Sequence, residues 1–311
     1  MTRLRVGTRG SDLALRQTRW VCDLLRHAHS GLEFDEVVIK THGDIATGQP
    51  LDMDFPVGGF VSAIEKALLE QQIDFAVHSY KDLPTAPTPG LMIAAVPTRE
   101  VPHDVLVTRE RVDLSSLPRG MRLGTSSPRR AAQFRRLADV QTVPIRGNIP
   151  TRVAKAVNGE LDGVVLAAAG LNRLGLRPTN LIDLPVDRFV PAPAQGALAV
   201  QVREGESTAR LLSVIEHRPS RRAVEAERSF LRHIHAGCHT PVGALAMVFD
   251  GTISLRGQLF SDDGACVVEG GETGDDPLAV GVRLADRLAR KLQECLSEPG
   301  AQATGPSEPR P

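Results

Sequence analysis

Arg5-Val6-Gly7-Thr8-Arg9-Gly10-Ser11 and Arg122-Leu123-Gly124-Thr125-Ser126-Ser127-Pro128 are two versions of one device. Each is a short apolar strand, a Gly-Thr turn and a hydroxyl residue placed to cap a helix. Pro128 suits a first helical position, where its missing N–H costs nothing. Helical patterns follow in both cases, carried by Leu13, Leu15, Trp20, Val21, Leu24 and Leu25 in the first and by Ala131, Ala132, Phe134 and Leu137 in the second. The parallel continues downstream. Residues 61–71 read as an amphipathic helix running into Ile73-Asp74-Phe75-Ala76-Val77-His78, and residues 151–159 as a helix running into Leu161-Asp162-Gly163-Val164-Val165-Leu166. Such near-continuous apolar strands belong to a parallel sheet covered on both faces. The sequence therefore predicts two α/β halves built to one plan, with ligands held beyond the carboxyl ends of the strands, against helix N-termini.

A third region begins near Arg218. A helical segment over 224–233 precedes Cys238, and strands over 243–249 and 253–260 flank the hairpin signal Asp250-Gly251. A closing helix over 277–296 completes an α+β unit. The Pro-, Gly-, Ser- and Glu-rich residues from 297 to 311 read as a disordered tail. A chain of 311 residues is too long for one small core, so two or three domains are expected. No apolar run approaches the roughly 20 residues that cross a bilayer, and the N-terminus lacks a secretory pattern, so a cytoplasmic protein without membrane association is expected. Four scattered cysteines (Cys22, Cys238, Cys266 and Cys295) show no framework spacing and read as reduced thiols. Cys22 and Cys295 fall in helical patterns and Cys266 in a strand pattern, where a thiol is usually inert filler, whereas Cys238 lies between Gly237 and Pro241 in a loop.

The formal net charge is zero, so no global field favours nucleic acid, and with one Trp, one Tyr and nine Phe there is little to stack bases on. Only five of the 37 basic residues are lysine. A GC-rich genome accounts for that total, but not for where certain arginines stand. Arg129 and Arg130 occupy the first turn after Thr125-Ser126-Ser127, where they oppose the helix dipole, a poor choice for stability and a good one for an anion site. Arg9 stands in the equivalent turn of the first half, beside Ser11. Arg146-Gly147-Asn148 with Arg152 forms another approach to a helix start, and Arg173 lies past the strand ending near Ala167. Together these basic positions outline a cleft for a polyanion. His78-Ser79-Tyr80-Lys81-Asp82-Leu83-Pro84 ends a buried strand and would project Asp82 toward that cleft, where cations would keep it ionised; locally the same residues also read as a Lys-Asp turn closed by Pro84. His233, His235, Cys238 and His239 crowd together, but their spacing matches no closed zinc pattern.

Gly7-Thr8-Arg9-Gly10-Ser11, Ala76 through Pro84, Gly124 through Arg130, Arg146-Gly147-Asn148, Pro193-Ala194-Gln195-Gly196-Ala197 and Gly237-Cys238 together resemble the porphobilinogen deaminase family, in that family's order and over nearly the whole chain. The resemblance implies two type II periplasmic-binding-protein-like α/β domains plus a smaller C-terminal α+β domain: residues 1–97 with 197–216, residues 98–196, and residues 217–296. It implies a monomer that deaminates four porphobilinogen molecules and joins them head to tail into hydroxymethylbilane, on a dipyrromethane cofactor joined by a thioether to Cys238. Asp82 is matched as the catalytic carboxylate. Arg9, Arg129, Arg130, Arg146, Arg152 and Arg173 are matched as carboxylate binders, with Ser11, Ser79, Lys81, Thr125, Ser126, Ser127 and Gln195 as further cofactor- or substrate-binding residues; no metal is implied. The sequence departs from the family in places. Val57-Gly58-Gly59-Phe60-Val61 is shorter than the family's loop over the cleft and lacks its lysine. His42 stands for a frequent Arg, and Pro150 and Ala194 each stand for a frequent Gly. Two rival functions are a non-catalytic protein that clamps a small anion between the halves and a zinc- or redox-dependent regulator built on the Cys238 cluster.

Overall fold

The segment Phe75-Ala76-Val77-His78 is buried throughout, and its side chains alternate between two cores, as the two-residue period of a strand requires. Phe75 and Val77 join Val6, Val21, Leu25 and Val200 on one face, while Ala76 packs with Ile64, Leu68 and Ile73 on the other. The second half repeats the arrangement. Val164 and Leu166 pack with Val105, Val107 and Leu171, and Val165 turns the other way onto Leu106, Leu123, Phe134 and Phe189. Fully burying each such side chain contributes roughly 1.5–3 kcal/mol, enough to fix the register of strands covered on both faces. The computed structural model describes residues 2–40, 61–234, 241–261 and 264–297.

The first unit contains β1 (Thr2–Thr8), α1 (Asp12–Ala28), β2 (Leu32–Val38), α2 (Ser62–Leu69), β3 (Phe75–Ser79) and β4 (Leu91–Ala95). The chain then crosses to the second unit: β5 (Asp104–Thr108), β6 (Met121–Gly124), α3 (Pro128–Leu137), β7 (Val140–Val143), α4 (Ile149–Val157), β8 (Gly163–Ala167), α5 (Ala168–Leu174) and β9 (Leu181–Asp183). It crosses back into β10 (Leu198–Arg203) and α6 (Ser207–Leu212). The sheet orders are β2-β1-β3-β10-β4 and β7-β6-β8-β5-β9. The apolar runs predicted parallel sheets, but neither sheet is purely parallel. β10 lies antiparallel between β3 and β4, and β5 lies antiparallel beside β8, because each is the strand that arrives from the other unit. One returning strand inserted in each sheet is the type II periplasmic-binding-protein topology.

The two crossovers run side by side. Glu100 N–H donates to Gly196 O, and a Cβ on Gly196 would stand 2.3 Å from Glu100 O, at a φ of +85° that favours glycine in any case. Ala194, where the family prefers Gly, also has a positive φ, of 62°, while Pro150 falls in the first turn of α4, where proline is tolerated.

The third unit consists of α7 (Arg218–His233), β11 (Val242–Phe249), β12 (Thr252–Phe260), β13 (Val267–Gly274) and α8 (Pro277–Ser297). Its antiparallel sheet turns at Asp250 and Gly251, both at positive φ as a two-residue hairpin demands. Both helices cover one sheet face through Phe230, Leu255, Val280 and Leu284. One expectation changes here. Cys266, just before β13, and Cys295, in the last turn of α8, are joined by a disulfide rather than being separate inert thiols, because the helix returns along the strand and brings their Cα atoms to 6.1 Å. Among the described residues Cys22 is the free cysteine, and it is buried. His42, residues 57–60, His235, Cys238, His239 and the tail beyond Ser297 lie outside the described residues. Among those described, no helix is long and apolar enough to cross a membrane.

The packing of α8 on α7 depends on Gly281. A Cβ there would come within 2.6 Å of Ala226 O and Phe230 N, which are backbone atoms that cannot swing aside. Gly281→Ala should gain about 1 kcal/mol of helix propensity and lose about 2–3 kcal/mol to overpacking. A lower denaturation midpoint is expected; an unchanged or raised midpoint would show that the helices have room.

Candidate active site

Three helix or turn starts stand at the carboxyl ends of the parallel strands. After β1, Ser11 caps α1, its hydroxyl accepting from Ala14 N–H at 3.3 Å, and Arg9 lies half-buried in the turn between them. After β3, the chain forms a single 3-10 turn, Tyr80–Asp82. Tyr80 N–H donates to Ala197 O, and the Ser79 hydroxyl is paired with the amide of Gln17 at 3.0–3.2 Å, so strand and crossover together hold the turn. Asp82 leaves this turn exposed and makes no hydrogen bond or ion pair to any described residue. A carboxylate so exposed, and without a hydrogen-bond partner among the described residues, is open to a ligand.

After β6, Ser127 caps α3 by accepting from Arg130 N–H, Thr125 Oγ1 accepts from Ser127 N–H, and Ser126 Oγ bridges the N–H and C=O of Ile145. These three hydroxyls therefore shape the loop instead of standing open to an anion. Arg129 and Arg130 also differ from expectation. Both are buried, and both grip a residue that the sequence reading overlooked: Arg129 Nη2 lies 2.7 Å from Asp104 Oδ2, and Arg130 Nη2 lies 2.6 Å from Asp104 Oδ1. The two guanidinium groups hold the Asp104 carboxyl far below the usual carboxylate range despite complete burial. Arg129 is further spent on Val190 O and Gln133, and Arg130 on Val165 O. The anion that justifies two arginines against a helix dipole is thus, first of all, an internal one. One negative charge does not balance two positive ones, however, and the Nε of each arginine is buried without a hydrogen-bond partner among the described residues. The sequence signal was a lone acid at the head of the apolar run Val105-Leu106-Val107.

Gln195 carries this cluster across the hinge. Its Nε2 donates to Asp104 Oδ1 at 2.8 Å and to Pro102 O at 2.7 Å, while its Oε1 accepts from Lys81 Nζ at 3.3 Å. Lys81 retains an exposed surface, yet protein atoms crowd its ammonium; both hold for a group in an open cleft, and the crowding governs its proton affinity. Desolvation brings its pKa down to about 8; Asp82 and Asp104 oppose the shift, while Arg130 and Arg129 add to it. Arg173, on α5, donates to Gly196 O at 2.7 Å, and its pKa is pushed down to about 10, chiefly by desolvation. Arg152, behind the Asn148 cap of α4, donates to Gly147 O; its proton affinity is lowered by burial and by Arg130. Arg146 is exposed in the preceding loop.

The fold therefore gathers Lys81, Gln195, Arg129, Arg130, Arg152 and Arg173 around the hinge side of the two sheets, next to the turn bearing Asp82. Cys238 lies outside the described residues. His233, from the same sequence cluster, pairs with Asp286 at 2.7 Å, and no group of metal-binding side chains occurs among the described residues.

Two family models match the chain, the "dipyromethane cofactor binding domain" of porphobilinogen deaminase over residues 4–210 and the porphobilinogen deaminase C-terminal domain over residues 221–290. Curated relatives agree along the whole length. The chain is 48% identical to a porphobilinogen deaminase of Thermus thermophilus, with 96% of each protein aligned. It is 44% identical to that of Thermobifida fusca, covering 96% of this chain and 95% of the relative, and 45% identical to porphobilinogen deaminase 1 of Streptomyces coelicolor, covering 92% and 94%. With paired hinge-linked α/β units, a cationic cleft beside an exposed carboxylate and this likeness from end to end, the chain belongs to the porphobilinogen deaminase family.

Proposed function

We propose that the chain is a hydroxymethylbilane synthase, a transferase that deaminates four porphobilinogen molecules, joins them head to tail on a bound dipyrromethane primer and releases the linear product for tetrapyrrole synthesis. The observation that carries this reading is Asp82: an exposed carboxylate without a hydrogen-bond partner among the described residues, at the end of β3, beside Lys81 and across from a cluster with more cationic than anionic charge. A non-catalytic anion-binding protein would have no use for that acid and is disfavoured by family membership.

The donor set fits the primer. Each of its pyrrole rings brings an acetate and a propionate, and the cleft offers the Lys81 ammonium and the guanidinium groups of Arg152 and Arg173, backed by the net positive charge of Arg129 and Arg130 on Asp104. Planar, bidentate pairing with carboxylates explains why arginine rather than lysine fills these places. Arg9 and Arg146 are proposed as outer members of the set. Ser11, Ser79, Thr125, Ser126, Ser127 and Gln195 contribute by fixing the loops from which these cations project. When bound, the dipyrromethane supplies the nucleophilic carbon from which the chain grows; its attachment point is proposed as Cys238.

Asp82 acts on charge. Loss of ammonia from porphobilinogen generates positive charge on the pyrrole nitrogen, and a carboxylate already fixed beside it lowers the barrier without reorganisation. The same group can receive the proton released when the new bond restores aromaticity. We place the chain in the cytosol as a monomer, with domains over residues 1–97 with 197–216, residues 98–196 and residues 217–296.

Intact mass measurement tests the attachment. The wild-type chain should carry a covalent increment of two linked pyrrole rings, absent in Cys238→Ser; an unmodified wild-type chain after exposure to porphobilinogen would overturn the assignment. Lys81 yields a pH prediction. Its pKa is depressed, so its charge is present below about pH 8 and lost as pH rises through that value. kcat/KM for porphobilinogen should therefore decline above about pH 8, and the decline should move to higher pH in Lys81→Arg. Superimposable profiles would remove Lys81 from substrate binding.

A further inference from the structure

The segment that follows the catalytic turn poses a satisfaction problem. Leu83-Pro84-Thr85-Ala86-Pro87 forms no strand, its prolines have no N–H, and its carbonyls need donors that no sheet supplies. Those donors come from the third unit. Arg228, buried on α7, reaches across the seam and donates through Nη1 to Leu83 O at 3.2 Å and, at 3.4 Å, to Tyr80 O. Its Nη2 donates to Pro84 O, with Thr85 O at 3.5 Å, and its guanidinium stacks on the Tyr80 ring, 4.7 Å from the centroid. Arg232, one helical turn further on, gives two more hydrogen bonds to Thr85 O at 3.2 and 3.0 Å.

Among the described residues these two side chains are the only donors recorded for the carbonyls of Leu83, Pro84 and Thr85. Tyr80 O also closes the turn itself, accepting from Leu83 N–H at 3.3 Å. One planar fork therefore clamps both ends of the three-residue turn that presents Lys81 and Asp82. A lysine could not do this, because a single ammonium cannot reach such widely spaced acceptors while stacking on a ring.

We infer that Arg228 is a positioning residue for this reaction: by tying the carbonyls on either side of Lys81-Asp82 to α7, it fixes where the Asp82 carboxylate stands. The inference rests on the proposed role of Asp82. One side of Arg228 lines a cavity of about 420 Å³, together with Tyr80, Leu83 and Pro84. Helix α7 thereby sets the geometry of a carboxylate carried by a different unit.

The cavity makes chemical rescue feasible. In Arg228→Ala, kcat should fall roughly 100-fold, the scale expected for a misplaced catalytic group, with KM changed by less than about threefold. Low-millimolar guanidinium should restore kcat saturably by about tenfold or more, whereas methylammonium should not, since only the planar fork reproduces the clamp. Arg228→Lys serves if the alanine variant does not fold: it should melt near the wild-type temperature and lose at least about fivefold in kcat at constant KM. Asp82→Asn is the reference. If it is inactive while folded Arg228→Ala or Arg228→Lys retains wild-type kcat, the positioning role is wrong; loss of kcat in Arg228→Ala without selective rescue by guanidinium also overturns it. If Asp82→Asn keeps full turnover, the role of Asp82 has failed first, and the inference falls with it.

Discussion

One buried carboxylate holds the three units in a single arrangement. Glu227 on α7 is fully enclosed and receives the Arg99 fork at 2.6 and 3.1 Å, the N–H of Ala194 at 2.6 Å and the N–H of Ala246 at 2.7 Å. Arg99 belongs to one crossover, Ala194 to the other, and Ala246 to the sheet of the third unit. All four bonds go to a charged acceptor, the kind that contributes most, and removing one partner from such a buried pair costs about 3–5 kcal/mol. The hinge of a two-lobed protein is ordinarily its most deformable part. Here it is tied to a helix outside both lobes, and that helix also carries Arg228. The position of the turn bearing Asp82 and the position of the hinge are therefore set by adjacent residues of α7.

The second constraint is electrostatic. Asp104 is the internal counter-ion, and the two guanidinium groups hold its carboxyl far below the normal range, ionised at neutral pH. Its contribution to stability is complete above the unfolded carboxylate pKa of about 4 and is lost only as pH falls well below that. With Asp104 in place, Arg129 and Arg130 can be buried before any ligand arrives, yet the pair retains one uncompensated positive charge, felt by Lys81 and Arg152. A site that must accept a primer and then successive carboxylated rings gains from such partial neutralisation: the cleft attracts anions without depending on them to fold.

Much of this was legible in the sequence. The repeated Gly-Thr turn, the apolar runs Phe75–His78 and Gly163–Leu166 and the Asp250-Gly251 hairpin located most of the architecture, because local sterics and two-sided burial decide those elements. Antiparallel insertion of β5 and β10 was not legible, since a strand's own residues do not record the direction from which the chain arrives. First-turn arginines suggested a bound anion, and the partner they hold is internal: Asp104 lies 25 residues away from Arg129, and only the fold brings the pair together. For the same reason, nothing in the local sequence sets Glu227 apart from other helical acids or Arg228 from the other arginines. The Cys266–Cys295 bridge escaped because a separation of 29 residues says nothing about a helix returning along a strand.

The central claim is that Asp82 drives successive additions to a primer tethered to the protein. Rapid-quench intact mass spectrometry after mixing with a few equivalents of porphobilinogen tests it most directly. The wild-type chain should show a ladder of covalent complexes, each one pyrrole unit heavier than the last, whereas folded Asp82→Asn should retain the primer mass and fail to climb. A variant lacking this carboxylate that climbs at the wild-type rate would contradict the account.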